Sequence, residues 1–420
     1  SQLSRRDRAL AFALVCGVLR HRGNLDWRLN ALTIRPLQSL PNVIVMILRL
    51  GAYQLLLLDR IPESAAVYES VDLAKTVKSR DWSGVINGVL RSLIRQGELP
   101  SLDPSDDPVE ALSILYSCPT WLTERWIGTL GLDLAEKICQ QSIAIPPLTI
   151  RTNTLRCSRE QLKQRLQREG YMVRRTLVSP VGLIMDKFGP LTNLKPLEEG
   201  WCYVEDEAAQ LVPFLLDVQP GQRLLDACAA PGGKACHLLE SEPNMAALWT
   251  IDLPERIPLI EQNFKRLGVE AVLLAGDASQ PDVWWDGEQF DAILVDAPCS
   301  GAGIIRRHPD IRLHRRPEDL SASMSTQIKL LSALWTLLKP GGRLLYVTCS
   351  VLEQENDRVV DSFLTNHVDA QTKNIRSTWG RSTRHGWQLL PGDGGGDGVY
   401  FARLERRADQ PQHAITSTGL

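Results

Sequence analysis

From about residue 206 onward, short β-rich runs alternate with helical ones, at Arg223–Ala227, Ala247–Asp252, 271–276, Phe290–Asp296 and 343–349. Few architectures accept this pattern. Each helix must cross over to lay the next strand beside the last, which predicts a parallel sheet covered by helices. A final strand is expected at 399–405, after the glycine-rich loop 391–396. Upstream, 109–205 mixes helix-like and strand-like segments, and Pro146-Pro147 precedes a predicted strand start at Leu148. The first hundred residues read as helical. Val85, Ile86, Val89, Leu90, Leu93 and Ile94 form a stripe that only a helix places on one face, with Ser83 as the expected N-cap. Pro36, Pro41 and Pro62 mark helix boundaries, and 99–108 reads as a linker.

A length of 420 residues fits two or three domains at about 150 residues each. Forty-seven basic against 49 acidic side chains leave a net charge of −2, so any nucleic-acid footprint must be local. Nine cysteines, an odd number without a Cys-x-x-Cys pair, point to free thiols in a reducing, cytoplasmic setting. The apolar run 9–19 is followed by Arg20-His21-Arg22 rather than a cleavage site, and fits the first turns of a buried helix. Residues 43–58 carry Arg49 and fall short of the roughly 20 residues that span a bilayer, so no membrane segment is expected. Cys228, Cys236 and His237 lack paired-ligand spacing, and no metal is expected.

Asp226 to Lys234 is a strand running into a glycine-rich turn, where open α/β sheets bind ligands. A phosphate loop would need Gly at 228 and Ser or Thr at 235, but the chain has Cys228 and Ala235; the dinucleotide spacing is also absent. Asp252 ends the next strand, 19 residues after Gly233, where a carboxylate can accept from both ribose hydroxyls. Asp277 ends the third strand and is a candidate for an adenine amino group. A nucleoside cofactor without pyrophosphate fits this set, and S-adenosylmethionine is the obvious candidate.

Two cysteines sit at further strand ends, Cys299 in Asp296-Ala297-Pro298-Cys299-Ser300-Gly301 and Cys349 in Thr348-Cys349-Ser350. If those strands are neighbours, about 4.8 Å apart, both thiols share the cofactor crevice. Such a pair suits methylation at carbon 5 of cytosine. That carbon becomes nucleophilic only after a group such as a thiolate adds to carbon 6, and a base must then remove the carbon 5 proton. An ordinary thiol pKa of about 8.5 leaves little thiolate, and Lys234 is a candidate for lowering it. The remaining cysteines read as small buried hydrophobes.

The motifs Asp226-Ala227-Cys228-Ala229-Ala230-Pro231-Gly232-Gly233-Lys234, Asp296 to Gly301, and Thr348-Cys349-Ser350 with Glu355-Asn356 resemble the signatures of the RNA cytosine-carbon-5 methyltransferases. The segments Val67 to Lys75 and Val85 to Arg91 resemble the NusB-like domain that precedes the methyltransferase in the bacterial Sun-type 16S ribosomal RNA enzymes. The resemblance implies a Rossmann-like class I methyltransferase domain at 206–405 with a mostly parallel seven-stranded sheet. Before it would come an all-α NusB-like RNA-binding bundle at 1–100 and a small α+β subdomain at 101–205, with a disordered tail at 406–420. Cys349 is implied to be the covalent nucleophile, with Cys299 assisting proton removal or product release. The cofactor is implied to lie against Cys228, Ala229, Ala230, Pro231, Gly232, Gly233, Lys234, Asp252, Asp277 and Asp296, the last also near the cytosine. The implied target is nucleotide 967 of small-subunit ribosomal RNA in the usual numbering, met by a monomer. The chain departs from the family pattern at Ala235, where Thr is usual, and at Pro258 inside the helix after Asp252.

Arg306, Arg307, His308, Arg312, His314, Arg315 and Arg316 crowd eleven residues after the Cys299 motif and are expected to contact phosphates. Arg5, Arg6, Arg8, Arg20 and Arg22 form a second basic cluster. Two alternatives remain: a DNA cytosine methyltransferase, which would exchange the roles of the two thiols, and a non-catalytic RNA-binding factor.

Overall fold

Prolines punctuate the N-terminal helices as the sequence predicts. Pro41 and Pro62 stand immediately before the helices Asn42–Leu57 and Glu63–Thr76 with φ of −55° and −60°, positions where no intrahelical N–H is needed. The computed structural model describes residues 3–77, 80–96, 102, 106–187, 191 and 194–408. They fall into two compact units, 1–146 with 305–315, and 147–304 with 316–420.

The first unit contains those two helices together with Arg5–Asn30, Ser83–Gln96, Pro108–Leu115, Thr120–Leu130 and Leu132–Ile143. Leu25, Leu29, Ile44, Ile47, Leu48, Ile86 and Leu90 are buried together in its core, and Arg49 forks onto both oxygens of Asp26 at 2.7 Å. Three expectations are corrected here. Ser83 lies in the first turn of its helix, and its Oγ has no hydrogen-bond partner among the described residues, so it does not cap. The run 9–19 is helical but largely exposed at Leu10, Phe12 and Val15, because the helix reaches the core only from Val18 onward. In the expected linker, Asp107 caps the helix that Pro108 opens, accepting from Glu110 N at 2.9 Å; residues 99–101 and 103–105 lie outside the described residues. The chain changes unit at 146/147.

The second unit holds two sheets. Strands β1 (Leu148–Thr152), β2 (Met172–Arg175), β3 (Gly182–Lys187) and β4 (Cys202–Val204) form an antiparallel sheet in the order β2-β3-β1-β4. The helix Arg159–Arg168, closed by a Ser158/Gln161 capping box, buries Leu162 and Leu166 against it. The larger sheet comprises β5 (Arg223–Ala227), β6 (Ala247–Asp252), β7 (Val272–Ala275), β8 (Phe290–Asp296), β9 (Leu338–Thr348), β10 (Ala370–Lys373), β11 (Arg381–Ser382), β12 (Trp387–Leu389) and β13 (Val399–Arg406). Its order is β11-β12-β13-β9-β8-β5-β6-β7, with β10 also paired to β13.

Strands β5 to β9 pair in parallel, as the alternation requires. The sheet has nine strands rather than seven, and β10 to β13 pair antiparallel. After residue 366 the connections are too short to carry crossover helices, and short connections give antiparallel neighbours. Arg406, expected in a disordered tail, ends β13 and donates to Asp369 at 2.9 Å, while 409–420 lie outside the described residues.

Both faces of this sheet are covered. Leu225, Ala227, Ile293 and Val295 meet Leu330, Leu331 and Leu334 of the helix Asp319–Trp335 on one side. On the other, Leu224, Leu294, Leu345 and Val347 meet Leu238, Ile260 and Phe264 from the helices Gly233–Ser241 and Ile257–Leu267. Ala227 pairs with Ile251, and Asp296 with Val347, so the loops after β5, β6, β8 and β9 emerge along one edge. No described helix is long and apolar enough to cross a membrane.

Arg151 on β1 joins the small sheet to that edge. Fully buried, it donates from Nε and Nη2 to Glu240 at 2.9 Å each, and from Nη1 to Glu205 and to the Gly233 carbonyl, both at 2.7 Å. Asn153 follows, donating to the carbonyls of Gly200 at 2.9 Å and Leu267 at 3.0 Å. Arg151→Met should cost about 3–5 kcal/mol, because it strands two buried carboxylates; urea denaturation followed by circular dichroism measures it.

Candidate active site

The turn after β5 takes its shape from residues in left-handed backbone. Cys228 has φ of 61° despite its side chain, and Gly232 has φ of 93°. A Cβ on Gly232 would lie 3.1 Å from Ile260 and 3.3 Å from Phe264, tight packing on top of an already unfavourable φ. Asp252 braces the turn from the end of β6, accepting from Ala230 N at 2.7 Å through one oxygen and from Leu253 N at 2.7 Å through the other. Carboxylate oxygens have further lone pairs for a ligand. Pro258, a departure from the family pattern, lies in the first turn of its helix, where proline costs nothing.

Asp277 accepts from Ser279 N and Oγ at 2.8 Å and from Gln280 Nε2 at 3.0 Å. Burial pushes its pKa up, but these donors outweigh it and hold the carboxyl below its ordinary value. Cys228, Asp252, Asp277, Asp296, Cys299 and Cys349 all line one cleft of about 530 Å³. Ile251, Leu253, Ala278 and Leu330 supply apolar wall between the carboxylates. Acidic acceptors at two strand ends, separated by apolar surface, fit a nucleoside cofactor. Arg256, Thr326 and Lys329 also line the cleft. Sequence reasoning missed Thr326 and Lys329, since nothing in the pattern of the helix Asp319–Trp335 tells which polar positions overhang the strand ends.

Neighbouring β8 and β9 bring the two thiols together, with Cys299 Sγ 3.2 Å from Cys349 Sγ. The Cys299 thiol is held well above its ordinary pKa by its hydrogen bond to Cys349, then by burial and by the charges of Cys349 and Glu355. Lys234, expected to activate a thiol, is engaged elsewhere: its Nζ donates to Asp296 Oδ2 at 2.7 Å. Burial opposes the Lys234 charge, but Asp296 outweighs burial and the pKa rises. All nine cysteines are free. Burial pushes the thiols of Cys202, Cys228 and Cys236 up to about 12, consistent with packing roles.

Beneath the turn, Asp226 is fully buried, and neither oxygen has a hydrogen-bond partner among the described residues. Desolvation, then the charge of Asp296, raises its pKa well above the ordinary carboxylate value, so it holds its proton.

The basic segment divides. Arg312 is buried, its Nη1 donating to the carbonyls of Arg20, Tyr116 and Ser117 at 2.8–3.0 Å and its Nη2 to Ser142 Oγ at 3.0 Å and Ser142 O. Its Nη groups are engaged by the helical unit and the side chain is buried, which corrects its expected role as a phosphate contact. Arg306 is likewise buried, its carbonyl accepting from Arg20 Nη2 at 3.0 Å. Arg307 is half-buried, while His308, Arg315 and Arg316 are exposed.

Three family models match the chain: 16S rRNA methyltransferase RsmB/F over residues 213–405, the NusB family over 1–95, and an RsmF/B-like ferredoxin-like domain over 118–192. A ribosomal RNA small subunit methyltransferase B of Pseudomonas syringae pv. tomato is 38% identical over 411 residues, which are 96% of this chain and 90% of that protein. The chain belongs to this methyltransferase B family. An Escherichia coli member is 37% identical over 409 residues, 97% of this chain and 92% of that protein. The solved structure of PH0851 is 26% identical, covers 96% of this chain and 91% of its own, and superposes with a TM-score of 0.81. NSun6 from Pyrococcus horikoshii, solved with SFG, is 22% identical over 69% of this chain and 99% of its own, with a TM-score of 0.62, and shows the shared fold. The RsmB/F match contains the turn after β5 and both thiols. Members of the family are S-adenosylmethionine-dependent methyltransferases, consistent with the nucleoside-fitting cleft.

Two measurements test these electrostatics. Asp226 binds its proton more tightly folded than unfolded, so its contribution to stability is complete below the ordinary carboxylate range and is lost as pH rises through its raised folded pKa. Asp226→Asn removes that dependence, and the stability of the variant relative to the parent should be higher at pH 9 than at pH 5 in urea titrations. Iodoacetamide labelling of Cys299, followed by mass spectrometry, should be slow at pH 8. It should shift to lower pH in Cys349→Ala, which removes the largest cause of the raised thiol pKa.

Proposed function

We propose that the chain transfers the methyl group of S-adenosylmethionine to carbon 5 of a cytosine, nucleotide 967 of small-subunit ribosomal RNA in the usual numbering, through a covalent bond from Cys349 to carbon 6. The observation that carries the reading is the contact of two thiols at 3.2 Å in the cleft that also holds Asp252 and Asp277. Methylation at a heteroatom requires no thiol, whereas carbon 5 of cytosine needs both a nucleophile and a later proton acceptor. The similarity to methyltransferase B proteins along nearly the whole chain supports the ribosomal target and a cytoplasmic setting.

When bound against residues 228–234, Asp252 and Asp277, the cofactor supplies an electrophilic methyl group. The Cys349 thiolate adds to carbon 6, and the displaced ring electrons make carbon 5 the nucleophile. At rest Cys299 keeps its proton and faces Cys349 Sγ. Once Cys349 is a neutral thioether, the largest influence holding the Cys299 proton is gone. Cys299 can then ionise to solvent and take the carbon 5 proton; the released electron pair restores the ring double bond and expels the Cys349 thiolate. Asp296, paired with Lys234, lies on the cleft wall as an acceptor for the cytosine amino group.

Residues 1–100 form the NusB-like RNA-binding domain in this reading, 101–205 a positioning subdomain and 206–405 the catalytic domain of a monomer. His308, Arg307, Arg315 and Arg316 remain the phosphate contacts of the basic segment.

Cys349→Ala and Cys299→Ala proteins should be incubated with small-subunit RNA and methyl-labelled cofactor, scoring methyl transfer and denaturant-resistant protein–RNA complex. Cys349→Ala should show neither, while Cys299→Ala should trap the complex. The reverse pattern would assign the nucleophile to Cys299, as in a DNA-type enzyme, and transfer by both variants would remove the covalent mechanism.

A further inference from the structure

Cys299 Sγ and Cys349 Sγ lie 3.2 Å apart. Both lie in turns beyond the ends of their strands, and the turns meet on one side chain. Glu355, in the short helical turn Glu353–Glu355, is fully buried. Its Oε1 accepts from Ser300 N at 2.7 Å, and its Oε2 from Ser300 Oγ at 2.5 Å and Ser350 Oγ at 2.6 Å. Ser300 directly follows Cys299 and Ser350 directly follows Cys349.

We propose that Glu355 is the positioning residue that clamps the two thiol-bearing turns together and so sets the Cys299–Cys349 separation. The inference rests on the two-thiol reading above and adds to it the group that maintains the geometry.

The chemistry of the clamp is specific. An ionised carboxylate is an acceptor-only group, and all three atoms facing it are donors. A buried charge is tolerated where short, charge-assisted hydrogen bonds of this kind meet it. Neighbours limit the freedom of the clamp itself. The Tyr346 hydroxyl donates to the Glu355 carbonyl at 2.7 Å. Asn356 accepts from Thr348 Oγ1 at 2.6 Å and donates to Ser350 O at 3.1 Å, which brackets Cys349 on both sides. Glu355 neither lines the cleft nor touches the turn after β5, so its effect should fall on the thiols and not on cofactor affinity.

Glu355→Gln keeps the volume but turns an amide donor toward a site that supplies only donors. Three quantities should be measured on the full chain: the melting temperature, the dissociation constant of S-adenosylhomocysteine, and kcat with small-subunit RNA. A fourth, retention of phenylarsine oxide, needs no catalysis, because the arsenic exchanges its oxygen, as water, for two thiol sulfurs held close together. In a folded Glu355→Gln protein the homocysteine product should bind within about twofold of the parent. A displacement of the order of 1 Å should lower kcat about 100-fold, and arsenical affinity should fall about 100-fold as chelation is lost. Ser350→Ala, which removes one of the three bonds and no charge, should show smaller losses in the same two quantities, and it carries the test if Glu355→Gln does not fold. Parental kcat and arsenical affinity in either folded variant would overturn the proposal. Loss of arsenical affinity with a Cys349→Ala protein that still methylates RNA would instead leave the clamp standing and remove the two-thiol reading.

Discussion

A guanidinium with no access to water is costly unless its donors find oxygens, and Arg151 meets that demand only when two further pieces of chain are in place beside β1. Glu205 follows β4, Glu240 lies near the end of the helix after the cofactor turn, and Gly233 opens that helix. The small antiparallel sheet is thereby tied to the turn after β5, where Cys228 keeps a φ of 61°. The Tyr203 ring completes the arrangement: the Arg151 guanidinium lies 5.2 Å from its centroid, and a Cβ on Gly233 would come within 2.6 Å of the ring. Glycine at 233 is required by this close approach. The small sheet is therefore bonded directly to the helix that follows the turn after β5.

Electrostatics in the cleft follow a common logic. Charges are present in opposed pairs, as with Lys234 and Asp296, or are withheld, as with the protonated Asp226 and the protonated Cys299. The proton affinity of Cys299 is set first by its contact with Cys349, so the state of one sulfur governs the other.

How much of this was legible in the residues depended on how local the signal was. β5, β6 and β8 have the bounds read from the sequence, because strands buried on both faces are continuous apolar runs ended by turn residues. β9 begins at Leu338, earlier than expected: Leu338 pairs with Phe290, Lys339-Pro340-Gly341-Gly342 bulges out as its turn-like composition suggests, and pairing resumes at Arg343 with Ala292. β11 has two residues and offers no periodicity to detect. Candidate residues read from turns at strand ends, Cys228, Asp252, Asp277, Asp296, Cys299 and Cys349, line one cleft. Contacts with distant partners could not be read: Glu355 stands in a signature motif, but its bond to Ser300 spans 55 residues, and a buried arginine in a basic run has no distinguishing local composition. Arg312 and Arg316 differ in fate only because carbonyls await one of them.

Those carbonyls belong to residues 20, 116, 117 and 142, and the donor that satisfies them comes 170 residues after the last of them. A ribosome adds about 5–20 residues per second, so the helical unit waits roughly ten to thirty seconds between the synthesis of its last N-terminal helix and the arrival of Arg312. During that interval its unpaired carbonyls face water, and β5 to β8, with the cofactor turn, are being made. The helical unit is thus first to emerge and cannot be first to finish. Its completion reports that the turn bearing Cys299 has already left the peptidyl-transferase centre, while Cys349 is still to come.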